Sequence, residues 1–407
     1  MREAISSRPR LEAGQKRALR DALVALVASR LLVWVVAVAA ALIASPDGGA
    51  SARAFDVPAL THPFGAVLDG AFAPLARWDS VWYLSIAHDG YQGASTAFFP
   101  LYPLVVRALA PFGQPAALLF IAYAVSLAAF AGALYLLRRL AELELGVEAA
   151  RRSVMLLAFF PGALWFGAPY SESLFLLLSV GAIYAARTGH WAGAGACAGL
   201  ASATRSAGVV LLVPLVLLWW RSRPRRARDA AWLALAPAGI GAFSLFLALQ
   251  RGDAFAYLHL QDVWFRSFAG PFGAVVDGAV AAWDGARQLL SGARAPVFFE
   301  PAGGDPFVAA AHNLELFAFL VFAAIAVAGA LRRLPPAYGA YTIAALALPL
   351  SFSVAPQPLM SLPRFLAVLF PLFMWLATRR GYRVTLAVSA LLLCVLTARY
   401  ASWHWVA

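Results

Sequence analysis

AALLFIAYAVSLAAFAGALYLLRR, residues 116–139, decides the fold. Ala116 to Leu137 carries no charge and is long enough, at about 1.5 Å per residue, to cross a hydrocarbon layer roughly 30 Å thick as a helix. Arg138 and Arg139 close the run, and paired arginines at one end mark the cytoplasmic side. Runs of this kind recur along the whole chain. Of the 407 residues, 62% are hydrophobic and 13% charged, and the mean hydropathy is +0.75. Soluble domains carry about a quarter charged residues. The composition therefore predicts an all-α polytopic membrane protein, a single integral membrane domain over residues 1–407.

The net charge of +12 does not indicate a nucleic-acid partner. The basic residues sit in short clusters between apolar runs, as cytoplasmic loops do. Lys16 is the one lysine among the 32 basic residues, which with the alanine excess suggests a GC-rich bacterial genome. Cys197 and Cys394 both lie in apolar runs and read as small buried hydrophobes, with neither a disulfide framework nor metal-ligand spacing.

Working outward from 116–139, residues 1–20 form a basic cytoplasmic N-terminus. Ala22–Ala44 reads as an uncleaved first span, with Arg30 snorkelling to the inner interface. Residues 45–113 make a first, acidic outer loop that includes Asp47, Asp56, Asp69 and Arg53. It ends in a proline-broken apolar stretch, re-entrant or interfacial. After the inner loop at 138–152, two tight helix pairs follow, joined by the turn Pro169-Tyr170-Ser171-Glu172 and by Thr204-Arg205-Ser206. RSRPRRARD (221–229) is the strongest inner signal. A second outer loop spans 250–311 and carries Asp253, Asp262, Asp277, Asp284, Glu300 and Asp305, read as a solvated acidic face. Arg332-Arg333 and Arg379-Arg380 mark two further inner turns. The expectation is about eleven transmembrane helices, the N-terminus inside, and two large outer loops carrying short interfacial helices. The inner segments hold roughly twice the basic residues of the outer ones, which supports this orientation.

The chemistry is expected in RWDSVWYLSIAHDGYQGASTAFFPLYP, residues 77–103, the densest cluster of charged, aromatic and turn-forming residues. Asp79 could be a solvated acid within an aromatic belt. Arg77, His88 and Asp89 instead lie within twelve residues, and the periodic Trp82, Leu84, Ile86 and Ala87 suggest a short interfacial helix that holds a carboxylate where a lipid head group meets water. There it could accept a proton from a hydroxyl nucleophile. His88-Asp89 could contact substrate or a divalent ion, or cap the turn at Gly90. No ligand repeat supports a metal. Glu172 is either a helix-dipole acid or a second acid on the same outer cavity, beside Tyr170. Arg205 and Arg364 are isolated cations near outer helix ends. Charges in such places need a partner, which could be Glu172 or a phosphate bound bidentately.

RWDSVWYLSIAHDGY followed by AFFPLYP resembles the signature of PIG-V-type mannosyltransferases. These are the GPI mannosyltransferase II family and its bacterial relatives, in the GT-C class. FFPGALWFGAPYSESLF (159–175), ATRSAG (203–208) and MSLPRFLAVLFPLF (360–373) extend the likeness in order. The resemblance implies an inverting membrane glycosyltransferase that takes a sugar, typically mannose, from a polyprenyl-phosphate donor on the non-cytoplasmic face, with no nucleotide sugar at the site. It puts the essential acid of the first outer loop on Asp79. The acceptor would be a glycolipid, glycan or protein. A bacterial source would have no GPI precursor, so the eukaryotic acceptor does not carry over. The expected mechanism is a single displacement with Asp79 as base and Arg205 or Arg364 on the leaving phosphate. The substrate-binding set is Arg77, Trp78, Trp82, Tyr83, His88, Asp89, Tyr170, Glu172, Arg205 and Arg364. The rivals are a lipid or sugar transporter or flippase, and a non-catalytic subunit of an envelope-glycan assembly complex. A transporter would show mid-helix charges and two matching halves, whereas the charges here gather at one face.

Overall fold

The structure is a computed structural model that describes residues 2–43 (side chains from 14 onward), 55–298 and 305–406. Asp47, Arg53 and Glu300 of the expected outer loops, and the side chains of Arg2, Arg8 and Arg10, lie outside the described residues. In chain order the main helices are α1 (Arg2–Ile43), α2 (Asp79–Asp89), α3 (Leu101–Leu109), α4 (Pro115–Leu145), α5 (Val147–Ala158), α6 (Glu172–Arg187), α7 (Trp191–Thr204), α8 (Leu212–Arg221), α9 (Ala238–Arg251), α10 (Gly273–Ser291), α11 (Pro306–Arg333), α12 (Pro336–Leu350), α13 (Leu362–Ala367), α14 (Phe370–Leu376) and α15 (Tyr382–Ala401).

The opening stretch is the centre of this bundle. Pro115 begins α4 at a position that needs no backbone N–H, and Gly146, at φ 84°, ends it. Leu118, Ala122, Phe130, Ala133, Leu134 and Leu137 recur at helical spacing and are buried, against α1, α5 and α6. At the end of the run, Arg138 is only 1% exposed. It donates to Asp21 Oδ2 and Glu142 Oε2, both at 2.8 Å, tying α1 to α4.

Among the described residues, five helices are long and apolar enough to cross a membrane: Gly14–Ile43, Pro115–Leu145, Ala227–Arg251, Pro306–Arg333 and Tyr382–Ala401. A sixth is possible if the turn Pro161–Gly167 and α6, bent by 101°, form one span. Shorter apolar helices include Ser206–Arg221 and Pro336–Leu350. On α1 the outward-facing residues are themselves apolar, with Leu31 and Val35 more than half exposed. That is the reverse of a soluble helix and fits a lipid-facing surface. The chain is an integral membrane protein.

Two differences from expectation have clear causes. Arg30 does not snorkel. It is buried, and its guanidinium donates to the carbonyls of Ala163 (2.7 Å) and Ala158 (3.2 Å). These carbonyls border the break between α5 and the turn Pro161–Gly167, where helix hydrogen bonds are interrupted by Pro161. The chain is also not wholly helical. β1 (Arg266–Phe268) pairs antiparallel with β2 (Phe352–Val354), in the register Arg266↔Val354 and Phe268↔Phe352. This ladder ties the loop after α9 to the segment that leads into α13.

Candidate active site

The site is built on the turn that enters α2. Trp78 has φ 54° and ψ −120°, a conformation that costs a bulky L-residue about 1–3 kcal/mol and persists only when its surroundings impose it. Two buried tyrosines do so. Tyr170 Oη accepts from the Asp79 backbone N–H and donates to Arg77 O, both at 3.1 Å. Tyr400 Oη lies 2.9 Å from the same carbonyl and 3.2 Å from Tyr170 Oη. Arg77 stacks over the Trp403 ring at 4.3 Å, and Trp78 is wedged edge-on against Trp403 and Trp405. The turn is thereby fixed by residues far along the chain, and it places Asp79 in the first turn of α2, where the helix dipole favours an acid.

A chain of ion pairs runs from Asp79. Arg364 Nη1 is 2.5 Å from Asp79 Oδ2, and Arg364 Nε bonds Glu172 Oε1. Arg205 Nη1 reaches the same Glu172 oxygen at 2.6 Å. Glu172 is fully buried, and its Oε2 has no hydrogen-bond partner among the described residues. The planar guanidinium of Arg364 also lies over the Tyr170 ring at 4.9 Å. It joins two carboxylates as a fork, a geometry lysine cannot supply. Two acids and two arginines neutralise one another, as charges removed from water must.

These side chains border a cavity of about 630 Å³. Asp79 is the one carboxylate among the described residues that lines it, and Arg205, Arg266 and Arg364 are its cations. Another part of the lining is aromatic. Trp82 stacks on Phe98 at 5.7 Å and meets Trp264 edge-on at 5.7 Å. A carboxylate, guanidinium groups and aromatic faces in one pocket suit a sugar phosphate: rings for the sugar faces, cations for the phosphate, an acid for a hydroxyl.

Of the residues singled out from sequence, Trp78, Asp79, Trp82, Tyr83, Arg205 and Arg364 line the cavity. Tyr170 and Glu172 lie behind it, and Arg77 supports the turn from its buried side. Arg205 and Arg364 take Glu172 as their partner acid, the simpler of the two readings open to them. His88 and Asp89 are exposed at the far end of α2 and bond each other at 2.6 Å, outside the cavity lining. Nine residues along a helix turns a side chain about 180° from the start, so His88 leaves on the face opposite Asp79. Among the described residues no three His, Cys, Asp or Glu side chains group as a metal site would. Sequence reading missed Arg266, Trp264 and Trp405, all of which line the cavity. The available signal was VWFRSF (263–268), an isolated arginine among aromatics inside a loop otherwise rich in acids.

Helix length, lipid-facing apolar surface and a charged internal cavity define an integral membrane protein with one polar site walled by aromatics. The family model described as mannosyltransferase (PIG-V) matches residues 20–220, a stretch that includes Asp79, Tyr170, Glu172 and Arg205. GPI mannosyltransferase 2 of Drosophila pseudoobscura pseudoobscura is 30% identical over 115 residues, which are 26% of this chain and 25% of that protein. The chain thus matches a quarter of that relative's length. The crystal structure of ArnT from Cupriavidus metallidurans in the apo state is 14% identical, with 79% of this chain and 71% of that one covered at a TM-score of 0.39.

Proposed function

We propose that this chain is a GT-C-type glycosyltransferase that moves mannose from a polyprenyl-phosphate donor to an acceptor hydroxyl, with inversion at the anomeric carbon. The observation that carries this reading is Asp79, the one carboxylate lining the cavity among the described residues, held beside Arg364 and against an aromatic wall. The acceptor O–H approaches the anomeric carbon from the face opposite the donor phosphate. The new C–O bond forms as the C–O bond to phosphate breaks. The hydroxyl proton passes to the Asp79 carboxylate, and the bonding electron pair leaves on the lipid phosphate. A cation placed where that charge develops contributes about 3–4 kcal/mol to the transition state. The PIG-V match supports the sugar, and the apolar wall supports a lipid-borne donor. In the same reading the chain crosses a bacterial cytoplasmic membrane about eleven times, with its N-terminus inside and the cavity facing out. The acceptor is a membrane glycolipid, a glycan or a protein.

The test is transfer by the purified protein from polyprenyl-phosphate mannose to a glycolipid extract, read by product mass. Asp79→Ala is expected to lower transfer by ~10²-fold or more, the scale of a lost general base, while the protein still inserts and purifies. Full transfer by that variant sinks the assignment of Asp79. Absence of any mannosylated product from the unaltered protein across a range of acceptors sinks the mannosyltransferase reading.

A further inference from the structure

We propose that Arg266 is the anion-binding residue of this cavity and receives the phosphate ester of a lipid-linked donor. The proposal rests on the transferase reading above and gives the phosphate a residue that sequence analysis passed over.

Arg205 and Arg364 are both committed to carboxylates, and the charges of Asp79 and Glu172 are balanced by them. Arg266 is the third guanidinium lining the cavity, and among the described residues no carboxylate lies within ion-pair distance of it. Among the described residues the cavity lining therefore carries one positive charge in excess. Burial, followed by the nearby Arg364, pulls the Arg266 guanidinium down to about 10, so it stays charged at neutral pH. A cation held among protein atoms without a counter-ion is costly unless a ligand supplies one.

Position makes the ligand a phosphate ester on an apolar carrier. Arg266 is fixed by the β1–β2 ladder opposite Val354. Its guanidinium lies 5.8 Å from the centre of the Phe365 ring, and Arg205 lies 5.7 Å from the same ring. Two guanidiniums thus approach one ring, one residue along the chain from Arg364. On either side of Arg266, Phe265 and Phe268 are 76% and 66% exposed, forming an apolar lip beside the charge. Exposed aromatics next to an arginine suit a head group whose tail stays in lipid.

Arg266→Gln and Arg266→Lys test this in detergent, each checked for unaltered thermal unfolding. In the transfer assay Arg266→Gln is expected to raise KM for polyprenyl-phosphate mannose by roughly 10-fold or more, the scale of a lost charge-assisted hydrogen bond. It should weaken competitive inhibition by polyprenyl phosphate in parallel, and leave inhibition by uncharged polyprenol as it was. Arg266→Lys should recover part of both losses. Unchanged KM and unchanged phosphate inhibition in Arg266→Gln overturn the proposal, as does a Lys variant no better than the Gln variant. Parallel assays with GDP-mannose and inorganic phosphate separate the sources of phosphate. Arg266-dependent binding of these alone overturns the lipid-linked class. Direct binding of polyprenyl phosphate keeps the two readings apart. A chain that binds it through Arg266 but transfers nothing fails as a transferase while the anion site stands. A chain that transfers equally well as Arg266→Gln fails only here.

Discussion

Glu172 is the residue on which the charge network turns. It is fully buried, and one of its oxygens receives both Arg205 and Arg364. Removing its charge leaves Arg205 without its carboxylate partner and Arg364 with Asp79 alone. Breaking a buried pair in this way costs about 3–5 kcal/mol, so Glu172→Gln is expected to lower the unfolding midpoint in detergent markedly. A variant as stable as the parent would contradict the pairing. Arg205→Gln, whose side chain is 17% exposed, should cost less. Arg205 and Arg364 were legible in the sequence because an isolated charge near an apolar helix end must find a partner, Asp79 because it sits in the densest cluster of charged and aromatic residues, and Glu172 as an acid in an outer helix turn. Arg266 was not, because a loop full of acids reads as solvated. Only its non-local pairing with β2 turns it into the cavity.

At the scale of elements, the site depends on how closely the turn Pro161–Gly167 meets α13. A Cβ placed on Gly162 would lie 2.3 Å from the Pro363 carbonyl oxygen, directly before Arg364. Gly162→Ala should therefore push α13 away and pull the Arg364 fork off Asp79 and Glu172. Misplacement of about 1 Å can cost ~10²-fold in rate. The expected outcome is a large fall in transfer with the protein still folded. Gly70→Ala is the control: its Cβ would meet nothing within 4 Å, and its helical position should gain ~0.5–1 kcal/mol. Equal activity in the two variants would count against the α13 contact. This contact was not visible in the sequence, since a glycine in an apolar run says nothing about which backbone approaches it. The short helix at 79–89 was visible, because Trp82, Leu84, Ile86 and Ala87 recur there in a periodic apolar pattern.

Across the whole molecule, hydropathy located the apolar runs well and their continuity less well. Local breaks such as Pro161 interrupt a helix without changing its average hydropathy, so only the bent geometry between 161–167 and α6 reveals them. The orientation is testable directly. With Cys197 and Cys394 replaced by alanine, Ser222→Cys should react with an impermeant maleimide only from the cytoplasmic side, and Asp262→Cys only from the other. The reverse pattern would invert the topology and move the cavity to the cytoplasmic face.

The long reach of the ion pairs bears on how the chain is made. Arg364 follows Glu172 by 192 residues and Asp79 by 285. At about 5–20 residues per second, Asp79 waits roughly 15–60 s for its cation after leaving the ribosome. Glu172 meets Arg205 after only 33 residues, so the first pair forms early and holds that carboxylate in place. The second pair closes only when nearly nine-tenths of the chain exists. A chain stopped short of Arg364 therefore carries a half-neutralised acid cluster in its apolar interior. Such a chain lacks a finished pocket and exposes a defect that membrane quality control can recognise, so unfinished copies are inactive and removable before they reach substrate.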